Sequence, residues 1–132
     1  LSSEVARDKS TPSYSTIYLV DDPLVRNIIS FIETNMSDED LNSVLIENHF
    51  GLSKMQLYRK LKAVAGLSVS DVIRSVRITN ACRLLVNTYL NISEIAYSLG
   101  FSDPLYFSKL FKKETGYSPS QYKQLQEKSI KM

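Results

Sequence analysis

Gly51-Leu52-Ser53-Lys54-Met55-Gln56-Leu57-Tyr58-Arg59-Lys60-Leu61-Lys62-Ala63-Val64-Ala65-Gly66 is answered about fifty residues later by Gly100-Phe101-Ser102-Asp103-Pro104-Leu105-Tyr106-Phe107-Ser108-Lys109-Leu110-Phe111-Lys112-Lys113-Glu114-Thr115-Gly116. The four glycines of the chain fall at the ends of these two stretches. A shift of 49 pairs Ile46 with Ile95, Phe50 with Leu99 and Leu52 with Phe101, and a shift of 50 pairs Leu57 with Phe107, Leu61 with Phe111, Lys62 with Lys112 and Ser68 with Ser118. One unit therefore recurs, with one extra residue in its second turn. Each copy reads as a short helix, a glycine-bearing turn and a longer capped helix, the element order of a helix-turn-helix.

Outward from the repeat, the caps and periodicities supply the remaining elements. Asp22-Pro23 opens a first helix whose apolar face is Leu24, Val25, Ile28, Ile29, Ile32 and Met36. Asp40 is placed to cap a second helix ending near Phe50, and Ser53 with Gln56 forms a capping box for the third. Ser68 starts a fourth helix to about Thr88, with Val69, Val72, Ile73, Val76, Ala81, Leu84 and Leu85 on its apolar side, a span on the order of 30 Å. Asn91 and Glu94 resemble a second capping box, and Asp103-Pro104 and Ser118-Pro119 each place a capping residue before a proline at the first helical position. The expected fold is all-α and homeodomain-like: seven helices forming two helix-turn-helix subdomains joined by a long linker helix. Its divisions are a flexible arm or linker over 1–20, rich in Ser and Thr, and a domain over 21–128. Within that domain the first unit occupies 41–66, the linker helix 68–88, the second unit 92–116 and a closing helix 119–128.

The net charge of +2 hides an uneven distribution. Residues 1–40 hold three basic and eight acidic side chains, whereas 41–128 hold twelve basic and six acidic, the sign expected of a surface that meets phosphate. In a helix-turn-helix one side of the second helix packs on the first and the other enters the major groove. Leu57, Leu61 and Val64 take the packing side of the first unit, leaving Lys54, Met55, Tyr58, Arg59 and Lys62 outward. Phe107, Leu110 and Phe111 do so in the second, leaving Leu105, Ser108, Lys109 and Lys112 outward with Pro104 at the tip. These outward sets carry no acid. Two such helices on one chain can read adjacent major-groove turns, about 34 Å apart, with the fourth helix as spacer.

The segment Leu41–Tyr122 resembles the DNA-binding domain of the AraC/XylS-type transcription regulators. The motifs that carry the likeness are Leu57-Tyr58-Arg59-Lys60-Leu61-Lys62 before Gly66-Leu67-Ser68, Ile92-Ser93-Glu94-Ile95-Ala96 before Gly100-Phe101-Ser102-Asp103-Pro104, and Tyr106-Phe107-Ser108-Lys109 through Gly116-Tyr117-Ser118-Pro119. The resemblance implies base contacts from Lys54, Met55, Tyr58, Arg59, Pro104, Leu105, Ser108 and Lys109. It implies phosphate contacts from Ser53, Lys62, Ser68, Ser102, Tyr106 and Lys112. It further implies promoter DNA and RNA polymerase as partners, sensor and receiver domains upstream as in hybrid two-component systems, and a bacterial activator as the whole protein. Such a protein works in the cytoplasm, anchored in the inner membrane if it is a hybrid sensor. One departure stands out: Glu47 occupies the place held by the small Ala96 in the second unit, which leaves either looser packing at the first turn or a side chain turned to solvent.

Other chemistries find little support. Cys82 and His49 are the only cysteine and histidine, so neither a Cys/His zinc site nor an internal disulfide can be assembled, and no nucleophile-with-base arrangement exists around a lone histidine. No enzyme, cofactor or small-molecule site is expected. Cys82 reads as core and His49 as half-exposed, and Asn91-Ile92-Ser93 is a sequon without meaning in a helix cap. No apolar stretch reaches the length of a membrane span, and the chain opens at Leu1 without a signal-type region, as a segment of a longer protein would. The competing reading is a helical module that binds proteins, distinguishable because binding through phosphates weakens steeply with salt.

Overall fold

The computed structural model describes residues 12–131, with side chains to residue 128. After a 3-10 helix at Ser13–Leu19, seven α-helices follow: α1 (Pro23–Asn35), α2 (Ser43–Phe50), α3 (Lys54–Ala65), α4 (Val69–Asn87), α5 (Ile92–Ser98), α6 (Pro104–Thr115) and α7 (Pro119–Lys131). The class is all-helical as expected, and among the described residues no helix is long and apolar enough to cross a membrane. The chain divides into two compact units. The first holds the residues up to Asn35 together with Asp40–Val76, and the second holds Met36–Glu39 together with Arg77 onward.

In the first unit α1 is capped by Asp22, whose carboxylate accepts from the Val25 amide at 3.1 Å, and its face Val25, Ile28, Ile29 and Ile32 is buried. Around it gather Ile46 of α2, Leu57 and Leu61 of α3, and Val72, Ile73 and Val76 of α4. Burial of each such aliphatic side chain stabilises the fold by about 1.5–3 kcal/mol relative to exposure. In the second unit the filling is aromatic. Phe101, Phe107 and Phe111 stack in sequence with centroids 5.1 and 5.8 Å apart, and Phe111 meets Tyr122 of α7 edge-on at 5.5 Å. Ile95, Ala96 and Leu99 close that core.

Three expectations are corrected. The arm over 1–20 does not stay open along its length: residues 13–19 form a 3-10 helix, Ile17 is buried at 1% exposure, and the Tyr18 hydroxyl donates to Glu33 at 2.8 Å. A single buried anchor in seven residues leaves no periodic signal in the sequence. Residues 1–11 of that arm lie outside the described residues. The cap of α2 is Asn42 rather than Asp40, because Leu41 is drawn into the core and the helix starts two residues later; the Asn42 side chain then accepts from the Leu45 amide at 3.2 Å. Along α4 the expected apolar side omits Ile78, which is fully buried, while Val69 and Leu84 are only half-buried. The reason is that Val69–Val76 belongs to the first unit and Arg77–Asn87 to the second, so two different faces are covered and Ser75 and Asn80 are buried with them.

The turn glycines are alike in backbone and unlike in surroundings. Gly51 (φ +64°) and Gly100 (φ +90°) both sit where L side chains are disfavoured. A Cβ on Gly51 would meet nothing within 4 Å, whereas one on Gly100 would lie 2.2 Å from the Met36 carbonyl oxygen and 2.6 Å from an Arg77 guanidinium nitrogen. Gly51→Ala is expected to cost about 1 kcal/mol, the ordinary left-handed penalty. Gly100→Ala is expected to cost roughly 3 kcal/mol or more, because backbone must also move. Urea denaturation of the two variants checks this, and equal losses would mean that the second turn is not packed as described.

Candidate nucleic-acid interface

The first unit pairs α2 with α3, and the second pairs α5 with α6. Ser53 fixes where α3 begins. Its hydroxyl oxygen accepts from the Gln56 amide at 3.1 Å while the Gln56 side chain accepts from the Ser53 amide at 2.8 Å, so two otherwise unsatisfied donors are answered. Leu57 and Leu61, fully buried, hold one side of α3 against the core. With period and start both fixed, Lys54, Met55, Tyr58, Arg59 and Lys62 can only face outward, and all five are exposed. The Lys62 ammonium lies 5.8 Å from the centre of the Tyr58 ring, and no carboxylate pairs with Arg59 among the described residues. Lys60 behaves differently, bonding to Asp22 at 2.8 Å and fastening the flank of α3 to the start of α1.

The second unit repeats the construction with other parts. Asn91 and Glu94 form a reciprocal cap on α5, and Asp103 caps α6 by accepting from the Leu105 amide at 3.0 Å, with Pro104 as first helical residue. Phe107 and Phe111 are the buried side. Leu105, Lys109, Lys112, Ser102 and Tyr106 are exposed, and Pro104 and Ser108 are half-buried. The Tyr106 ring leans on Phe101 at 6.2 Å. Val64 and Leu110, expected on the packing sides, are half-buried at the margin of each core.

Lys54, Tyr58 and Ser68 come together in the first unit. They line a groove of about 200 Å³ together with Ser43, Glu47, Val69 and Ser70. Ser68 also caps α4: its hydroxyl oxygen accepts from the Asp71 amide at 3.2 Å and its own amide donates to the Asp71 carboxylate at 3.2 Å. Ser53 is exposed at the start of α3. Glu47, left open between looser packing and solvent, takes a third course: it is half-buried and accepts from the Ser43 hydroxyl at 2.9 Å. His49, expected as half-exposed, is exposed and stacks on Phe31 with centroids 4.3 Å apart. Cys82 is buried, as its place beside Ala81 predicts. Ser43 and Ser70 were not singled out in the sequence, and no spacing there could have shown that they share a groove.

Two capped recognition helices, each with a buried apolar side and a basic outward side, define a tandem helix-turn-helix DNA-binding domain. A family model described as a helix-turn-helix domain matches residues 46–125, and the chain belongs to that family, as an AraC-type DNA-binding domain rather than an enzyme. It is 36% identical over 112 residues to histidine kinase P4 of Formosa agariphila, covering 85% of this chain and 8% of that protein. It is 33% identical over 102 residues to the arabinose operon regulatory protein of Escherichia coli, covering 77% of this chain and 35% of that one. Among solved structures, the C-terminal domain of AraT, a response regulator from Geobacillus stearothermophilus, superposes with a TM-score of 0.71 at 34% identity, covering 79% of this chain and 86% of that one. The chain thus spans about a third or less of the two full-length relatives.

The Lys60–Asp22 pair makes α3 sensitive to acid. The hydrogen bond from Lys60, and then the Val25 amide, hold the Asp22 carboxyl below its ordinary pKa of 3.8. A depressed folded value means stability that is complete above the unfolded pKa and is lost as pH falls through the folded one. Asp22→Asn is therefore expected to destabilise the domain at neutral pH and to lose less on acidification than the wild type. Denaturation curves taken from about pH 7 down to about pH 2 check this, and parallel acid limbs would remove Asp22 from the account.

Proposed function

We propose that this domain recognises promoter DNA by sequence, reading base edges with Lys54, Met55, Tyr58 and Arg59 in the first unit and with Pro104, Leu105, Ser108 and Lys109 in the second. Ser53, Lys62, Ser68, Ser102, Tyr106 and Lys112 contact phosphates and set the register. The observation that carries the proposal is the outward basic face on each of two recognition helices whose opposite faces are buried. Phosphate neutralisation supplies most of the affinity and base contacts the preference. Arg59, exposed and forked, suits the paired acceptors of guanine, while Lys109 offers a single point of contact. Pro104 and Leu105 bring no side-chain donors, so the second unit leans on thymine methyl groups and duplex shape.

The two units engage adjacent major-groove turns of one duplex. In the whole protein the domain is the output end of a regulator, bacterial and cytoplasmic, that activates transcription through RNA polymerase. Sensor and receiver domains precede it, and the whole protein is anchored in the inner membrane if it is a hybrid two-component sensor. Support for that placement comes from the similarity to a histidine kinase and to a response-regulator C-terminal domain.

Selection of bound sequences from a random duplex pool tests the proposal. Two short conserved blocks about one helical turn apart are expected; a single block would leave one unit as the only reader, and salt-insensitive binding without enrichment would favour a protein partner. Arg59→Ala is expected to cost about 1–3 kcal/mol and to relax preference at one base pair. Lys62→Ala is expected to weaken binding about equally on all sequences, and a shift in base preference with that variant would mean the groove-facing side has been misplaced.

A further inference from the structure

Glu47 is the one acidic side chain lining the groove that holds Lys54, Tyr58 and Ser68. By the internal repeat its counterpart is Ala96, fully buried, so the second unit has a methyl group where the first has a carboxylate. Packing alone does not call for that charge. A half-buried carboxylate loses hydration, and the Ser43 hydroxyl at 2.9 Å replaces only part of it. The groove also opens at the start of α4, where the Asp71 carboxylate already takes the Ser68 amide and the Ser68 hydroxyl accepts from the Asp71 amide, so the helix end adds little net attraction for an anion. The same pocket therefore presents phosphate with attraction from Lys54 and with repulsion from Glu47.

We infer that Glu47 is an affinity-setting residue of the first unit: its carboxylate opposes the DNA phosphate held by Ser68 beside the base-reading Lys54 and keeps this unit weaker than its cations alone would make it. The inference rests on the DNA reading given above. Its physical content is a like-charge interaction across a few ångströms of partly solvated groove, which acts on every sequence alike and is screened by salt. A negative charge there does not read a base. It lowers non-specific retention on the excess of unrelated DNA, leaving the base-reading residues to decide where the domain stays.

The test is equilibrium binding of the folded domain to its selected duplex and to an unrelated duplex, over a series of salt concentrations. Glu47→Gln keeps the shape and the acceptor for Ser43 while removing the charge, and is expected to tighten both duplexes by about threefold to tenfold at low salt, with the gain shrinking as salt rises. Ser43→Ala, which removes the hydrogen bond and leaves the charge, is expected to give no such gain. Unchanged affinity in Glu47→Gln overturns the inference. Weaker binding confined to the selected duplex also overturns it, by making Glu47 a reader of a cytosine amino group. If the wild-type domain shows no salt-dependent affinity for either duplex, the DNA reading fails and the inference with it, a result distinct from wild-type binding that the substitution leaves unmoved.

Discussion

A recognition helix can offer a defined face to a partner only if its other face is held. In the first unit that constraint is met by Leu57 and Leu61, both fully buried, and in the second by Phe107 and Phe111. The four-residue spacing of each pair puts both side chains on one stripe, and the caps at Ser53 and Asp103 fix where the stripe begins. Every outward residue follows from those two choices. A slip of one residue in either helix start would turn Arg59 or Lys109 away and bring a different side chain to the surface.

The two units meet the same constraint with different materials. Aliphatic side chains from α1 to α4 surround Leu57 and Leu61, and the Lys60–Asp22 pair adds a polar fastening at the edge. The second unit relies on stacked aromatic rings and on Arg77. That guanidinium donates to the carbonyls of Met36 and Asp38 at 3.2 and 2.9 Å and lies 5.7 Å from the centre of the Phe101 ring, while its Nε is buried without a partner. Leaving a buried donor unanswered is costly, and the two carbonyl bonds and the ring contact offset it. The turn at Gly100 is built against this arginine, which is why it tolerates no Cβ, whereas the turn at Gly51 faces open space.

Much of this was legible because it is local. A capping box needs residues three apart, a left-handed turn selects glycine, and an amphipathic helix repeats its apolar residues every three to four positions. The boxes at Ser53–Gln56 and Asn91–Glu94 and the buried faces of α1, α3 and α6 are read from such short windows. Reading failed where a residue answers to partners far along the chain. Ile17 has no periodic neighbours, Asp40 lost the cap of α2 because Leu41 is pulled inward, and Ile78 looks exposed until α4 is seen to serve two cores.

By itself the sequence determined the repeat, the seven α-helices, the caps at Asp22, Ser53, Ser68, Asn91, Asp103 and Ser118 and the sign of the charge on each outward face, because each follows from short-range spacing, from self-similarity along the chain or from composition. Tertiary structure alone decided which cations are free and which are spent. Lys60 lies between Arg59 and Leu61 and looks like its basic neighbours, yet it is paired with Asp22 across 38 positions of chain. Arg77 holds carbonyls some forty residues away, and Glu47 shares a groove with Lys54 and Ser68. The reason is physical: Coulomb and hydrogen-bonding energies depend on distance in space, and only the closing of the chain over its apolar side chains sets those distances.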